Sequence, residues 1–205
     1  LYQFQSQSFP QDDSNCGARM VIVALASGPS LTQEDIDQTK GFTTIAVNQT
    51  IFAAPHADYC YAYDDKWWEE YGQRAKDTGC KCASCSIKSH IFGVQRVPKS
   101  SKKFDGTFAI GSSSGAHAIC FAMMLGATKI ILLGFDCQHT DGKRHHHEDY
   151  PKGFGNADRP ERWVKEHEPI AEGAEMLGVR IINCTRQTAL KCYEQMPLSE
   201  ALNDC

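Results

Sequence analysis

Apolar residues recur along this chain in two alternating rhythms. Residues 20–26 (MVIVALA) and 129–133 (KIILL) are short unbroken runs, the pattern of strands covered on both faces. Residues 43–47 and 59–63 read as further strands ending at Asn48 and at Asp64 and Asp65. Residues 94–97 and 179–182 read as two more, the second ending at Asn183. Stretches of helical period lie between them. Residues 66–76 carry Trp67, Trp68 and Tyr71, and residues 160–177 turn Trp163, Val164, His167, Ile170, Ala171 and Ala174 inward. Thr32 and Asp35 stand at capping-box spacing, and short helical pieces around Leu190 and Leu198 close the chain.

The stretch 111–138 (GSSSGAHAICFAMMLGATKIILLGFDCQ) is the centre of this pattern. Ala116, Ile119, Cys120, Met123 and Met124 follow the spacing of a core-facing helix. Ser113 or Ser114 stands where an N-cap belongs, and Gly126 where the helix should stop. Gly134 breaks the strand that follows and leaves Asp136 just beyond it. Strands alternating with helices predict a single α/β domain with a mostly parallel sheet over residues 20–205. Residues 1–19 form an extension, part of which resembles a protease-site remnant, and residues 79–90 read as an irregular cysteine-rich insert.

The predicted strands end in Ser27, Asn48, Asp64, Asp136 and Asn183. In an open α/β sheet such ends share one edge, where ligands bind; the plain alternative is that these residues favour turns. In the first loop, Ser27-Gly28-Pro29-Ser30, Gly28 lets a ligand approach the backbone, and free amides and the Ser30 hydroxyl can face a phosphate. The loop is neither a Walker loop nor GxGxxG. Trp67 and Trp68, adjacent on one helix, either both cover the sheet or divide, one packing and the other stacking on a base or sugar.

The 205 residues carry 21 basic and 25 acidic side chains, a net charge of −4, which gives no general attraction to nucleic acid. Lys99, Lys102 and Lys103 form the one basic cluster. No apolar run reaches the length that spans a bilayer, and the N-terminus lacks a signal-peptide layout. Ten cysteines do not read as a disulfide framework, because Cys60, Cys120, Cys137 and Cys184 lie in apolar segments. The expectation is a reduced, cytoplasmic protein. Cys80, Cys82 and Cys85, with His90, are of the type that holds a structural zinc ion; Cys60 or Cys16 could replace His90. Free thiols, a local disulfide or a redox role are the alternatives.

ASGPSL, the strand-end Asn48, the SSG of 113–115 and LGxxxIxLxGFD together resemble the bacterial sialyltransferases that use CMP-sialic acid. They also resemble relatives of that group: flagellin-modifying glycosyltransferases and archaeal-type hydroxymethylpterin pyrophosphokinases. Uncharacterised phage-encoded members are the most similar, sharing DDKWW (64–68), HHHEDYP (145–151) and INCTRQTAL (182–190). The resemblance implies a Rossmann-like fold and, for a phage protein, the host cytoplasm. It implies that Ser27, Gly28, Pro29, Ser30, Asn48, Ser113, Ser114 and Gly115 hold a nucleotide or nucleotide-sugar. It implies that one of His145, His146 and His147 is the general base for glycosyl transfer, with Asp64 or Asp136 orienting sugar or base. Tyr150 is the nearby tyrosine for the phosphate. Pyrophosphoryl transfer would instead need Mg²⁺ on acids such as Asp64 and Asp136, and His145, His147 and Asp149 are also of metal-binding type. A non-catalytic nucleotide-binding accessory protein is the third reading. The chain shows no obvious acceptor domain, so the expectation is that a partner or a second copy supplies part of the cleft.

Overall fold

A computed structural model describes residues 20–101, 104–155 and 157–204; Cys16, Lys102 and Lys103 lie outside them. Eight strands form one sheet: β1 (Val21–Leu25), β2 (Thr43–Val47), β3 (Tyr59–Tyr61), β4 (Lys81–Ser84), β5 (Gln95–Arg96), β6 (Lys129–Leu133), β7 (Arg180–Asn183) and β8 (Glu194–Gln195). Seven α-helices connect and cover them: α1 (Gln33–Asp37), α2 (Thr50–Ala53), α3 (Asp65–Lys76), α4 (Ser89–Phe92), α5 (Ser114–Met124), α6 (Val164–Met176) and α7 (Leu198–Asn203). A 3₁₀ turn, Pro160–Trp163, leads into α6, so the helix expected over 160–177 begins as a tighter coil.

The sheet order is β5-β4-β3-β2-β1-β6-β7-β8, and every neighbouring pair is parallel. The chain builds outward from β1 through β5, returns to place β6 on the other side of β1, and finishes outward through β8. The order therefore reverses between β1 and β6, the place where open α/β sheets form their crevice. Alternate residues of β1 and β6 serve opposite faces. Ile22, Ala24, Ile130 and Leu132 pack with α5 and α6, whereas Val23, Leu25, Ile131 and Leu133 pack beneath α1 and α7. Ala46 and Cys60 meet Trp67 and Trp68 of α3. Both tryptophans are buried and cross edge-to-face at 5.0 Å.

The cysteine-rich segment is not an irregular insert. Residues 81–84 are β4, paired with β3 so that Cys60 lies opposite Cys82. The two-residue period of a strand then divides the expected zinc ligands. Cys80 and Cys82 share a face with Cys60, their sulfurs 3.8 Å apart, while Cys85 belongs to the opposite core beside α5. His90 sits on α4, exposed. The set Cys80, Cys82, Cys85 and His90 is thus not brought together. β8 was not anticipated, and no helix forms around Leu190. Among the described residues no helix is long and apolar enough to cross a membrane.

Candidate active site at the β1/β6 switch point

A cleft of about 360 Å³ opens over the C-terminal ends of β1, β2, β3 and β6. Ser27, Gly28, Pro29, Asn48, Asp64, Ser113, Ser114, Gly115, Asp136 and His145 all line it. Those sequence-derived candidates converge. Ser30, His146 and His147 are not part of the lining, and Asn183 is spent on its own turn, accepting from Thr185 N–H at 3.1 Å and bonding Thr188 at 3.2 Å.

The first loop is held differently from the expectation. Ser30 donates its amide and its hydroxyl to Asp136, each at 2.9 Å, and Thr140 donates to the same carboxylate at 3.0 Å. Ser30 therefore has no free donors for a phosphate, and Asp136 acts as the anion that organises the loop. Burial raises the pKa of Asp136, opposed by the donors from Ser30 and Thr140. Gly28 is required by the protein itself, because a Cβ there would stand 2.0 Å from Asp136 Oδ1 and 2.3 Å from Gly134 O. Gly134 has φ +72° and would place a Cβ 2.5 Å from Ala26 O, so neither glycine tolerates a side chain. Ser27 donates to Val47 O at 3.2 Å and lies 3.1 Å from the Thr50 hydroxyl.

The second turn, at the start of α5, is built on other terms. Ser113 caps the helix by accepting from Ala116 N–H at 3.2 Å, and Ser114 accepts from Tyr63 N–H at 3.1 Å. Gly115 keeps α5 close to Phe135. The Ser112 and Ser113 amides, which immediately precede α5, converge on Glu166 of α6, at 2.9 and 3.2 Å, joined by the Ser112 hydroxyl. A half-buried carboxylate thus occupies the two backbone donors just before the first residue of α5. Glu166 was invisible to sequence reasoning because its partners lie 53 and 54 residues away.

The histidine run is packed, not loose. His146 donates its amide to Ser27 O at 3.3 Å and places Nε2 3.1 Å from the Thr50 hydroxyl. His147 directs Nδ1 at Glu148 O, 2.6 Å away, and its ring stacks on His145 at 4.8 Å. His145 alone of the three faces the cleft, with a buried Nε2 that has no hydrogen-bond partner. Burial lowers His145 and His146 to about 4, with His147 adding to both shifts, so both rings are neutral at pH 7. Asn48, in the left-handed region at φ 52°, has a buried Oδ1 without a partner. Asp64, at the rim, is raised by burial and by its neighbour Asp65.

Trp67 and Tyr150, each named from sequence as a candidate site residue, line the cleft, together with lining residues that the sequence reading did not single out. Lys66, Arg144 and Arg162 bring positive charge, though Arg144 also pairs with Asp149 at 3.4 Å and Asp158 at 3.2 Å. Trp67, Phe135, Phe154 and Trp163 give apolar walls, and Tyr150 joins them, its ring against His145 at 5.3 Å. Gly153 and Gly155 on either side of Phe154 are the residues that could have marked a turn there, which closes with Phe154 N–H donating to Pro151 O at 3.2 Å. His145, His147, Asp149 and Asp136 are not gathered for a metal: Asp136 holds Ser30 and Thr140, and Asp149 faces Arg144. Among the described residues no group of three or more His, Cys, Asp or Glu side chains forms a metal-binding cluster.

No protein-family model and no curated protein matches the sequence. The fold is similar to that of the MAf glycosyltransferase from Magnetospirillum magneticum AMB-1, with a TM-score of 0.60 at 11% identity. The likeness covers 88% of this chain and 34% of that enzyme, so the chain spans about a third of its length. The likeness is one of fold, a Rossmann-like α/β architecture.

Proposed function

We propose that the cleft binds a nucleotide-activated sugar, with a CMP-sugar as the donor, and transfers the sugar to an acceptor hydroxyl. The observation that carries this reading is the gathering of the Ser112 and Ser113 amides on the Glu166 carboxylate, with both serines lining the cleft at the β1/β6 reversal. An anionic group with the reach of a carboxylate fits there, and a donor phosphate takes its place when the Glu166 side chain swings aside. The positive end of α5, with Lys66 and Arg162 on the walls, favours the same charge.

The unpartnered Asn48 Oδ1 is an acceptor reserved for a ribose hydroxyl or the amino group of the base. Trp163, on the cleft wall, offers a surface for ring stacking, and the buried Trp67 edge lines the same cleft. His145 is the group that removes the acceptor proton: it faces the cleft, is neutral at pH 7 and keeps Nε2 free. Departure of a nucleotide phosphate needs charge stabilisation at the phosphate and a base at the acceptor, not a covalent nucleophile. Asp136 positions the first loop and does not touch substrate.

Thermal shift with CMP, UDP and ATP and their sugar derivatives, with and without Mg²⁺, tests this. The expected result is stabilisation by CMP and CMP-sugars that does not depend on Mg²⁺. Stabilisation by ATP alone, and only with Mg²⁺, overturns it.

A further inference from the structure

A second cavity, of about 690 Å³, lies beside the cleft and shares Asp64 with it, and Cys85 opens into this cavity. Cys85 Sγ lies 3.3 Å from His117 Nδ1. The other ring nitrogen, Nε2, is 3.0 Å from Gly111 O. A carbonyl can only accept, so Nε2 carries the proton and Nδ1 is the bare nitrogen that takes the Cys85 thiol proton. The Tyr61 hydroxyl is buried and has no hydrogen-bond partner. Burial disfavours the Cys85 thiolate, and the Tyr61 hydroxyl and the Lys99 charge act against that burial. Nucleophile, base and orienting carbonyl are thus assembled at one sulfur, with an unpartnered buried hydroxyl, that of Tyr61, in the same core.

We propose that Cys85 is a nucleophilic thiol, activated by His117 and Tyr61, that reacts with small disulfides entering the second cavity. The proposal stands independently of the glycosyl-transfer reading. The cavity carries Arg96 and Lys99 against Asp64 and Asp65, which balance and select no charged reagent. A sulfur electrophile is favoured over an acyl group for a specific reason. The amide after the thiol, Ser86 N–H, is bonded to Ser84 Oγ at 3.1 Å, so it is not available to an oxyanion formed at a carbonyl. Attack on a disulfide forms no oxyanion. The Cys85 proton passes to His117 Nδ1 and the sulfur bonds one sulfur of the reagent. The S–S bond breaks, and the leaving thiolate takes the proton back from the imidazolium. One mixed disulfide and one free thiol result. At rest both partners are neutral, since burial raises Cys85 and lowers His117 to about 4; the proton moves only as the new bond forms.

The native chain treated with bis(2-hydroxyethyl) disulfide at pH 7.5, with adducts located by peptide mass mapping, tests this. Cys192, which is more exposed and lacks such a base, is the internal reference. Cys85 is expected to react about tenfold faster than Cys192 despite its burial. Tyr61→Phe, which removes only the hydroxyl, should slow Cys85 about threefold and leave Cys192 unchanged; His117→Asn should slow it further. Slower reaction at Cys85 than at Cys192 in the native chain overturns the proposal. So does a Cys85 rate that Tyr61→Phe leaves unchanged, a result that does not depend on whether His117→Asn folds.

Discussion

The two serine-rich turns at the rim of the cleft look alike in sequence and are built in opposite ways. The first, Ser27 to Ser30, is closed on itself: Asp136 takes the Ser30 amide and hydroxyl, and two glycines sit so tightly that no Cβ fits. The second, Ser112 to Ser114, turns two amides outward onto Glu166, a side chain that belongs to another helix and is half-exposed. A buried carboxylate in the first turn acts as a fixed part of the fold. The carboxylate in the second belongs to a side chain that is half-exposed, and the proposed reading has a ligand's anion take its place. On that reading the two turns divide the work, one holding the shape of the cleft and the other holding charge.

The comparison breaks most visibly at Gly28. Gly28→Ala drives a methyl group into Asp136 and the Gly134 carbonyl, neither of which can give way, and should cost roughly 4 kcal/mol, read by urea unfolding. A loss under about 1 kcal/mol would show that the first turn is not rigid.

His145→Ala tests the base that leans on the first turn. Turnover should fall about 100-fold or more, with CMP affinity within about twofold of the parent in calorimetry. Parallel loss of turnover and affinity would make His145 a binding residue.

Glu166→Ala sharpens the contrast from the other side. Stability should fall by only about 1 kcal/mol, while affinity for CMP rises about tenfold because the internal competitor is gone. Weaker CMP binding in this variant would make Glu166 a ligand contact.

The pH dependence tests the histidines that fold over the first turn. His145 and His146, folded over the first turn, titrate near 4 in the folded chain against 6.5 in the unfolded one. The unfolded chain thus binds more protons between those values. The stability they contribute is complete above pH 6.5 and is lost as pH falls toward 4. The melting temperature should fall by several degrees over that window in the parent, and by less in a His145→Ala, His146→Ala double variant.

Much of the fold was legible. The runs of β1 and β6 are apolar on both faces because α-helices cover both sides, and that leaves a continuous signal in the chain. Thr32 and Asp35 form the capping box that their spacing announced, with Thr32 Oγ1 donating to Asp35 at 2.8 Å. β4 was not legible: KCAS has no β-branched residue, and its cysteines suggested metal chemistry more strongly than pleat. β8 is two polar residues, recruited only because β7 presents an open edge. In the site, sequence located the strand ends but not the direction of their polar atoms. It paired Ser30 with a phosphate, where the fold pairs it with Asp136 106 residues away. Packing alone distinguished His145 from its two neighbours.

The most direct measurement is a crystal structure of the chain soaked with CMP. The account predicts the phosphate within hydrogen-bond reach of the Ser112 and Ser113 amides, with the Glu166 carboxylate displaced and the Ser30–Asp136 bonds unchanged. A phosphate bound at the Ser30 amide, or a nucleotide seated elsewhere with Glu166 still on the Ser112 and Ser113 amides, would contradict it.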